Sequence, residues 1–156
     1  MSEKKVFLAS DHRGFFLKTK LKLAHPEFID LGPAEYNPED DYNDFANLLS
    51  KNVLKNPGSF GILICGSAIG VSIQSNRHKG IRAAVVSTLD SAQKTREHND
   101  TNVLCLSADD ISDSKDPLES EKAYEDLSAI IDAFLNTPFS NESRHVRRIK
   151  KLDKEA

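Results

Sequence analysis

Apolar residues recur along the chain in short runs separated by polar stretches whose remaining apolar positions fall at helical spacing. Residues 6–9 form an apolar run closed by Ser10, Asp11, His12, Arg13 and Gly14, after which 15–23 carry apolar side chains three and four apart. The pattern predicts strand, loop, helix. A second strand is predicted at 28–31, stopped by Gly32 and Pro33, and an acidic loop through Asp41 and Tyr42 leads to a helix over 44–54. Asn56, Pro57 and Gly58 break that helix before a strand that opens at Gly61 and ends at Cys65. A small-residue loop and a helix over 71–76 follow. Further strands are predicted at 81–86 and 103–106, with helices over 89–97 and 119–135.

This is a β-α alternation repeated five times, with strands apolar throughout rather than on alternate positions. Such strands are buried on both faces, so the pattern predicts a parallel five-stranded sheet with right-handed crossovers. The fold expected is a three-layer α/β/α sandwich, Rossmann-like, with strand order 2-1-3-4-5. Residues 109–117, rich in Asp and Ser, read as an exposed acidic loop. After Pro138 the chain turns polar and basic, and 143–154 reads as a terminal helix within a C-terminal extension over 139–156.

Length and charge narrow this picture. At 156 residues the chain fits a single domain over 1–156 with a real core. A net charge of -3 provides no general basic field, so nucleic acid is not an expected partner. The only cysteines, Cys65 and Cys105, lie in apolar runs forty residues apart and read as reduced thiols rather than a disulfide framework. With no signal peptide at the start and no apolar run long enough for a membrane span, a cytoplasmic protein without membrane contacts is expected.

Candidate chemistry centres on 61–70, reading Gly-Ile-Leu-Ile-Cys-Gly-Ser-Ala-Ile-Gly. A buried strand ends in a thiol, and the backbone N–H groups of Gly66, Ser67, Ala68, Ile69 and Gly70 converge near a helix start, where they can cradle an anion. The helix dipole also favours a thiolate at Cys65. The loop lacks the Lys-Ser or Lys-Thr of a nucleotide P-loop and the spacing of a dinucleotide fingerprint, and Val71 stands where a cysteine phosphatase has its arginine. In open α/β sheets ligands bind beyond the carboxyl ends of the strands where the winding reverses, here between the first and third strands. Asp11 and His12 therefore flank the same crevice as Cys65. A cysteine ending a buried strand is also ordinary core, and an Asp before a helix an ordinary N-cap, so both readings stand at this point. The five histidines show no ligand spacing with cysteines or carboxylates, so no metal and no cofactor are expected. His98 and Asn99 lie between the fourth helix and fifth strand, at the sheet's amino end. Arg144 and Arg148, four apart on a helix, can face one phosphate, but they too start from that end. Either pair reaches the crevice only from a second subunit.

Taken together, Ser10 through Phe15, Asp41-Tyr42, the 61–70 block, the Gly-Ile-Arg-Ala-Ala-Val of 80–85 and the His-Asn-Asp-Thr-Asn-Val-Leu of 98–104 resemble the ribose-5-phosphate isomerase B family, which includes galactose-6-phosphate isomerase subunits. The resemblance implies a metal-independent aldose-ketose isomerase of the non-oxidative pentose phosphate pathway, acting through an enediolate, and a homodimer with shared active sites. Cys65 matches the family's base, Ser67 a proton relay and His98 the ring-opening residue. Asp11, His12, Tyr42, Gly66, Ala68, Ile69, Gly70 and Asn99 match substrate-binding positions, and Arg144 and Arg148 the phosphate clamp. Asp109 falls near a position where the family commonly has a phosphate-binding arginine, and Asn43 where proline often follows Asp-Tyr. A six-carbon substrate such as allose or galactose 6-phosphate, or a non-catalytic sugar-phosphate-binding module, are the alternatives to a pentose phosphate isomerase.

Overall fold

The computed structural model describes residues 3–112 and 117–154. In chain order the elements are β1 (Val6–Ser10), α1 (Phe15–Ala24), β2 (Ile29–Asp30), α2 (Tyr42–Lys55), β3 (Phe60–Cys65), α3 (Ile69–Ser75), β4 (Ala83–Val85), α4 (Leu89–Asn99), β5 (Val103–Ser107), α5 (Asp109–Ser112), α6 (Pro117–Asn136) and α7 (Ser143–Ile149). All strand pairs are parallel, and the sheet is covered on both faces. Leu17 and Leu21 of α1, Ala92 of α4 and Ile131 and Phe134 of α6 pack on one face. Ala46, Leu49 and Val53 of α2 and Val71 of α3 cover the other. Each strand side chain alternates between these two cores, which is why the strands read as unbroken apolar runs. No helix among the described residues is long and apolar enough to cross a membrane.

The sheet order is β2-β1-β3-β5-β4, not the 2-1-3-4-5 expected from the sequence. Burial explains the exchange. Val103, Leu104, Cys105 and Leu106 are buried on both faces and suit an interior strand, whereas β4 is three residues long and half-exposed, as an edge strand should be. The switch point is unaffected, because β1 and β3 remain neighbours, with Ser10 opposite Ile64. β2 is also shorter than expected: Phe28 turns into the core while only Ile29 and Asp30 pair.

Two segments next to the crevice depart from the sequence reading. The third helix begins at Ile69 rather than 71, because Ala68 adopts a left-handed conformation (φ 67°) that turns the chain sharply out of β3. Residues 109–112 are not an open loop. Asp109 and Asp110 sit in the first turn of α5, where carboxylates favour the helix dipole, and the Asp110 N–H donates to Ser107 Oγ at 3.4 Å. Of the segment expected to be a loop, 113–116 lie outside the described residues and Pro117 already opens α6.

The remaining corrections fall at the amino end. α4 runs through His98 and Asn99, and Asp100 in the left-handed region caps it, so these two residues lie on a helix rather than in the following turn. The terminal helix stops at Ile149, and Asp153 Oδ2 accepts the Gly80 N–H at 2.8 Å, folding the tail back along its own chain.

Candidate functional site

β3 delivers Cys65 to the carboxyl end of the sheet with only 4% of its surface exposed. The chain then turns through Gly66, exposed Ser67 and fully buried Ala68 into Ile69 and Gly70 of α3. The left-handed backbone at Ala68 costs about 1–2 kcal/mol for a residue with a Cβ. The packing of buried Ala68 in the core holds that strained turn, a conformation of the kind concentrated at binding loops. Ser67 Oγ accepts the Ile69 N–H at 3.3 Å, and the other first-turn N–H groups of α3 have no acceptor within the helix. Among the described residues, the free donors of this turn therefore begin at Gly70, five residues beyond the thiol.

Two glycines of the loop lie in close approach to neighbouring side chains. A Cβ on Gly70 would lie 2.8 Å from Tyr42 Cζ, so the Tyr42 ring rests directly on the cradle. A Cβ on Gly66 would lie 3.1 Å from Asp109 Oδ2. Asp109 thus approaches the loop from α5, and its carboxylate is ion-paired with Arg13. The charge that sequence alone sets against a phosphate is therefore partly offset by a neighbouring guanidinium.

β1 brings the opposite wall. The Asp11 N–H donates to Ile64 O at 3.2 Å, fixing the end of β1 against β3. Asp11 Oδ1 accepts from the N–H groups of Arg13 (2.9 Å) and Gly14 (3.2 Å), so this residue does act as a cap for the turn into α1. It is also buried, and desolvation raises its pKa above the usual carboxylate value, against the lowering effect of those bonds and of His12. Asp40 was not among the residues singled out from sequence. Its Oδ1 accepts from the His12 N–H (2.9 Å) and pairs with His12 Nδ1 (2.7 Å). Asp11, His12 and Asp40 offer ligand atoms within 4.8 Å of one another, a convergence that sequence spacing did not disclose because Asp40 lies 28 residues downstream of His12. The contact between His12 Nδ1 and Asp40 Oδ1 has hydrogen-bond geometry, so these two groups are engaged with each other.

The structure thus brings together Asp11, His12, Tyr42, Cys65, Gly66, Ser67, Ala68, Ile69 and Gly70. It does not bring His98, Asn99, Arg144 or Arg148 to them. His98 is in the last turn of α4, just before β5, and Gly61 at the start of β3 donates to Asn102 O at 2.9 Å. Cys65 instead pairs in register with Ser107, four residues further along, or roughly 13 Å at the strand rise. At the amino end His98 stacks on the buried His145 of α7, with ring centroids 4.5 Å apart. Desolvation holds the His145 pKa below the usual histidine value, and the facing His98 and Arg144 add to this. His145 is a second residue missed from sequence, although it lies between the two arginines of interest. Arg144 and Arg148 are exposed on α7, and Arg144 Nε pairs with Glu142 at 3.0 Å. A cavity of about 460 Å³ beside Asn99, lined also by Arg82, Thr95 and Leu152, opens at this same end.

Cys105 makes a useful contrast. It is fully buried in β5, and burial together with the nearby Cys65 pushes its thiol pKa far above the ordinary value. It is therefore a neutral core residue, and both cysteines are free.

Comparison with known proteins bears on this arrangement. A family model described as Ribose/Galactose Isomerase matches residues 6–152. A probable ribose-5-phosphate isomerase B from Mycoplasma pneumoniae is 42% identical over 152 residues, covering 94% of this chain and 91% of that protein. Ribose-5-phosphate isomerase B from Mycobacterium tuberculosis is 33% identical over 153 residues, covering 96% and 88%. The crystal structure of ribose-5-phosphate isomerase B from Mycoplasma genitalium with bound ribulose-5-phosphate superposes with a TM-score of 0.81 at 38% identity, covering 97% of this chain and 95% of that one.

Proposed function

The chain belongs to the ribose/galactose isomerase family, and from that premise we propose that it interconverts D-ribose 5-phosphate and D-ribulose 5-phosphate through an enediolate. The observation that carries the reading is the position of Cys65: a thiol at the carboxyl end of a central strand, followed at once by a strained turn into a helix and flanked by the end of β1. The reaction is a step of the non-oxidative pentose phosphate pathway.

In the aldose-to-ketose direction the Cys65 thiolate removes the C2 proton of the open-chain sugar. The electron pair left at C2 forms the C1–C2 double bond, and the carbonyl π electrons move onto O1. N–H groups of the 66–70 turn stabilise that developing oxyanion, donors fixed before the charge appears. Ser67 relays a proton from O2 to O1, and the Cys65 thiol returns its proton to C1, giving the ketose. Asp11 accepts hydrogen bonds from the sugar hydroxyls, and the Tyr42 ring over Gly70 closes one side of the pocket.

Ring opening and phosphate binding require groups that this chain holds at the far end of its sheet. A homodimer supplies them. His98 of a second copy gives a proton to the furanose ring oxygen as the anomeric hydroxyl loses its own, and Asn99 binds beside it. Arg144 and Arg148, on one face of α7, clamp the phosphate, with the 139–156 extension carrying them to the partner's crevice. The two-ended placement of residues in one chain supports this sharing.

The test is the initial rate of ribulose 5-phosphate formation before and after EDTA treatment, with allose 6-phosphate in parallel. Turnover of ribose 5-phosphate is expected to survive chelation unchanged. kcat/KM for the six-carbon sugar should be lower by about tenfold or more, the scale of discrimination over one extra carbon. Preference for the six-carbon sugar, or no turnover by folded protein, would contradict the reading.

A further inference from the structure

His12 stands at the mouth of the crevice with a quarter of its side chain exposed, and among the described residues the polar contact to its ring comes from Asp40. Asp40 Oδ1 bonds both its backbone N–H and its Nδ1. The loop that carries Asp40 is itself fixed: the Asp40 N–H donates to Asn37 O at 3.2 Å, and the Glu39 N–H to Asn37 Oδ1 at 3.0 Å. The edge of Tyr36 faces the imidazole with centroids 6.4 Å apart. Asp11 is the other ionisable group within reach, its carboxylate within 4.8 Å of the pair.

One feature sets Asp40 apart from a residue that merely closes a loop. Its Oδ2 is buried with no hydrogen-bond partner among the described residues. A buried carboxylate oxygen without a partner is destabilising, so anchoring the His12 backbone N–H does not by itself account for a second carboxylate beside Asp11. What a carboxylate adds is a hold on the imidazole: it accepts from Nδ1–H and so fixes both tautomer and ring orientation.

We propose that Asp40 is a positioning residue that locks His12 with its proton on Nδ1, leaving Nε2 as the ring atom that meets the sugar phosphate. This rests on the isomerase reading for its kinetic consequence but not for its structural one. The bond exists in the free protein, so it can be tested without substrate.

The experiment joins two readouts. Nitrogen-15 NMR of the His12 imidazole in ligand-free protein is expected to show the neutral ring as the Nδ1–H tautomer. In Asp40→Ala the ring should move to a mixture dominated by Nε2–H. Asp40→Asn, whose amide oxygen can accept the same bond, should keep the wild-type tautomer. In turnover, Asp40→Ala should raise KM for ribose 5-phosphate about tenfold, with kcat changed less than about threefold, the scale of lost outer-shell support for a histidine. His12→Ala should do the same, and the double variant should be no worse than either single one. Multiplying effects, or a tautomer indifferent to Asp40→Ala, would overturn the proposal. Should Asp40→Ala fail to fold, an Nε2–H tautomer in the wild-type protein is enough to overturn it. Failure of the isomerase reading shows as absence of wild-type turnover and leaves the tautomer result to decide.

Discussion

Cys65→Ala is expected to lower kcat for ribose 5-phosphate isomerisation by at least about 10³-fold, within the range that a positioned proton-transfer group contributes. KM should stay within about threefold, because the residues assigned to hold the sugar and its phosphate are elsewhere. The side chain is small and nearly buried, so losing its sulfur leaves a gap of about one atom, worth on the order of 1 kcal/mol. The protein should therefore fold normally. Cys65→Ser separates packing from chemistry: it restores the volume but puts a hydroxyl, almost never ionised near neutral pH, where a thiolate is needed. Steady-state kinetics beside thermal melts check both variants. A serine variant with a tenth or more of wild-type kcat would remove Cys65 from the role of base.

His98→Ala is expected to separate two halves of the reaction that share one overall rate. Ring opening precedes proton transfer for the cyclic aldose, so net isomerisation should fall by about 10²–10³-fold. Ribulose 5-phosphate has no furanose ring to open. Cys65 can still remove a C1 hydrogen from it and return a solvent-derived one. Exchange of deuterium from D2O into C1 of ribulose 5-phosphate should thus persist within about fivefold of wild type, a margin for the lost contacts of one side chain. The comparison is a proton NMR time course set against the net rate. Parallel loss of exchange and isomerisation would show that His98 acts on the proton transfer itself or on binding. The stacked His145 keeps its place through α7 and its burial, so the substitution leaves Arg144 and Arg148 on their helix.

Which parts of this arrangement the sequence discloses follows from the range of the interactions. The β-α alternation and the crevice between β1 and β3 are legible because fully buried parallel strands leave unbroken apolar runs, and because the end of each run is local. The exchange of β4 and β5 is not legible in that way. Ile81, Ala83, Ala84 and Val85 make as good an apolar run as 103–106, and only the burial of both faces of β5 shows which strand lies inside. Cys65 and the glycine turn are legible as a motif, but the left-handed backbone at Ala68 is not, since alanine carries no signal for it. Asp11 caps the turn into α1 and also stands at the end of β1 against β3, so the sequence pattern of an Asp before a helix does not separate the two readings.

What stayed hidden depends on contacts across the fold. Asp40 meets His12 across 28 residues, and it stands among other acidic positions that look alike in sequence. Asp109 reads as an unopposed negative charge until α5 brings it to Arg13, 96 residues away in the chain. The stack of His98 on His145 joins α4 to α7, and spacing carries no trace of it. Even so, the separation of His98 from Cys65 is legible, because a helix that precedes a parallel strand must end at that strand's amino end.

If that separation is bridged by a second copy of the chain, mixed dimers regain activity. Cys65→Ala and His98→Ala chains carrying different affinity tags are co-expressed, and the dimer bearing both tags is isolated. In it one crevice lacks both residues, while the other joins an intact Cys65 to an intact His98 from the other chain. The mixed dimer is expected to show about half the kcat of the wild-type dimer, from two parents that are each inactive. A well-folded mixed dimer as inactive as its parents would contradict the shared site.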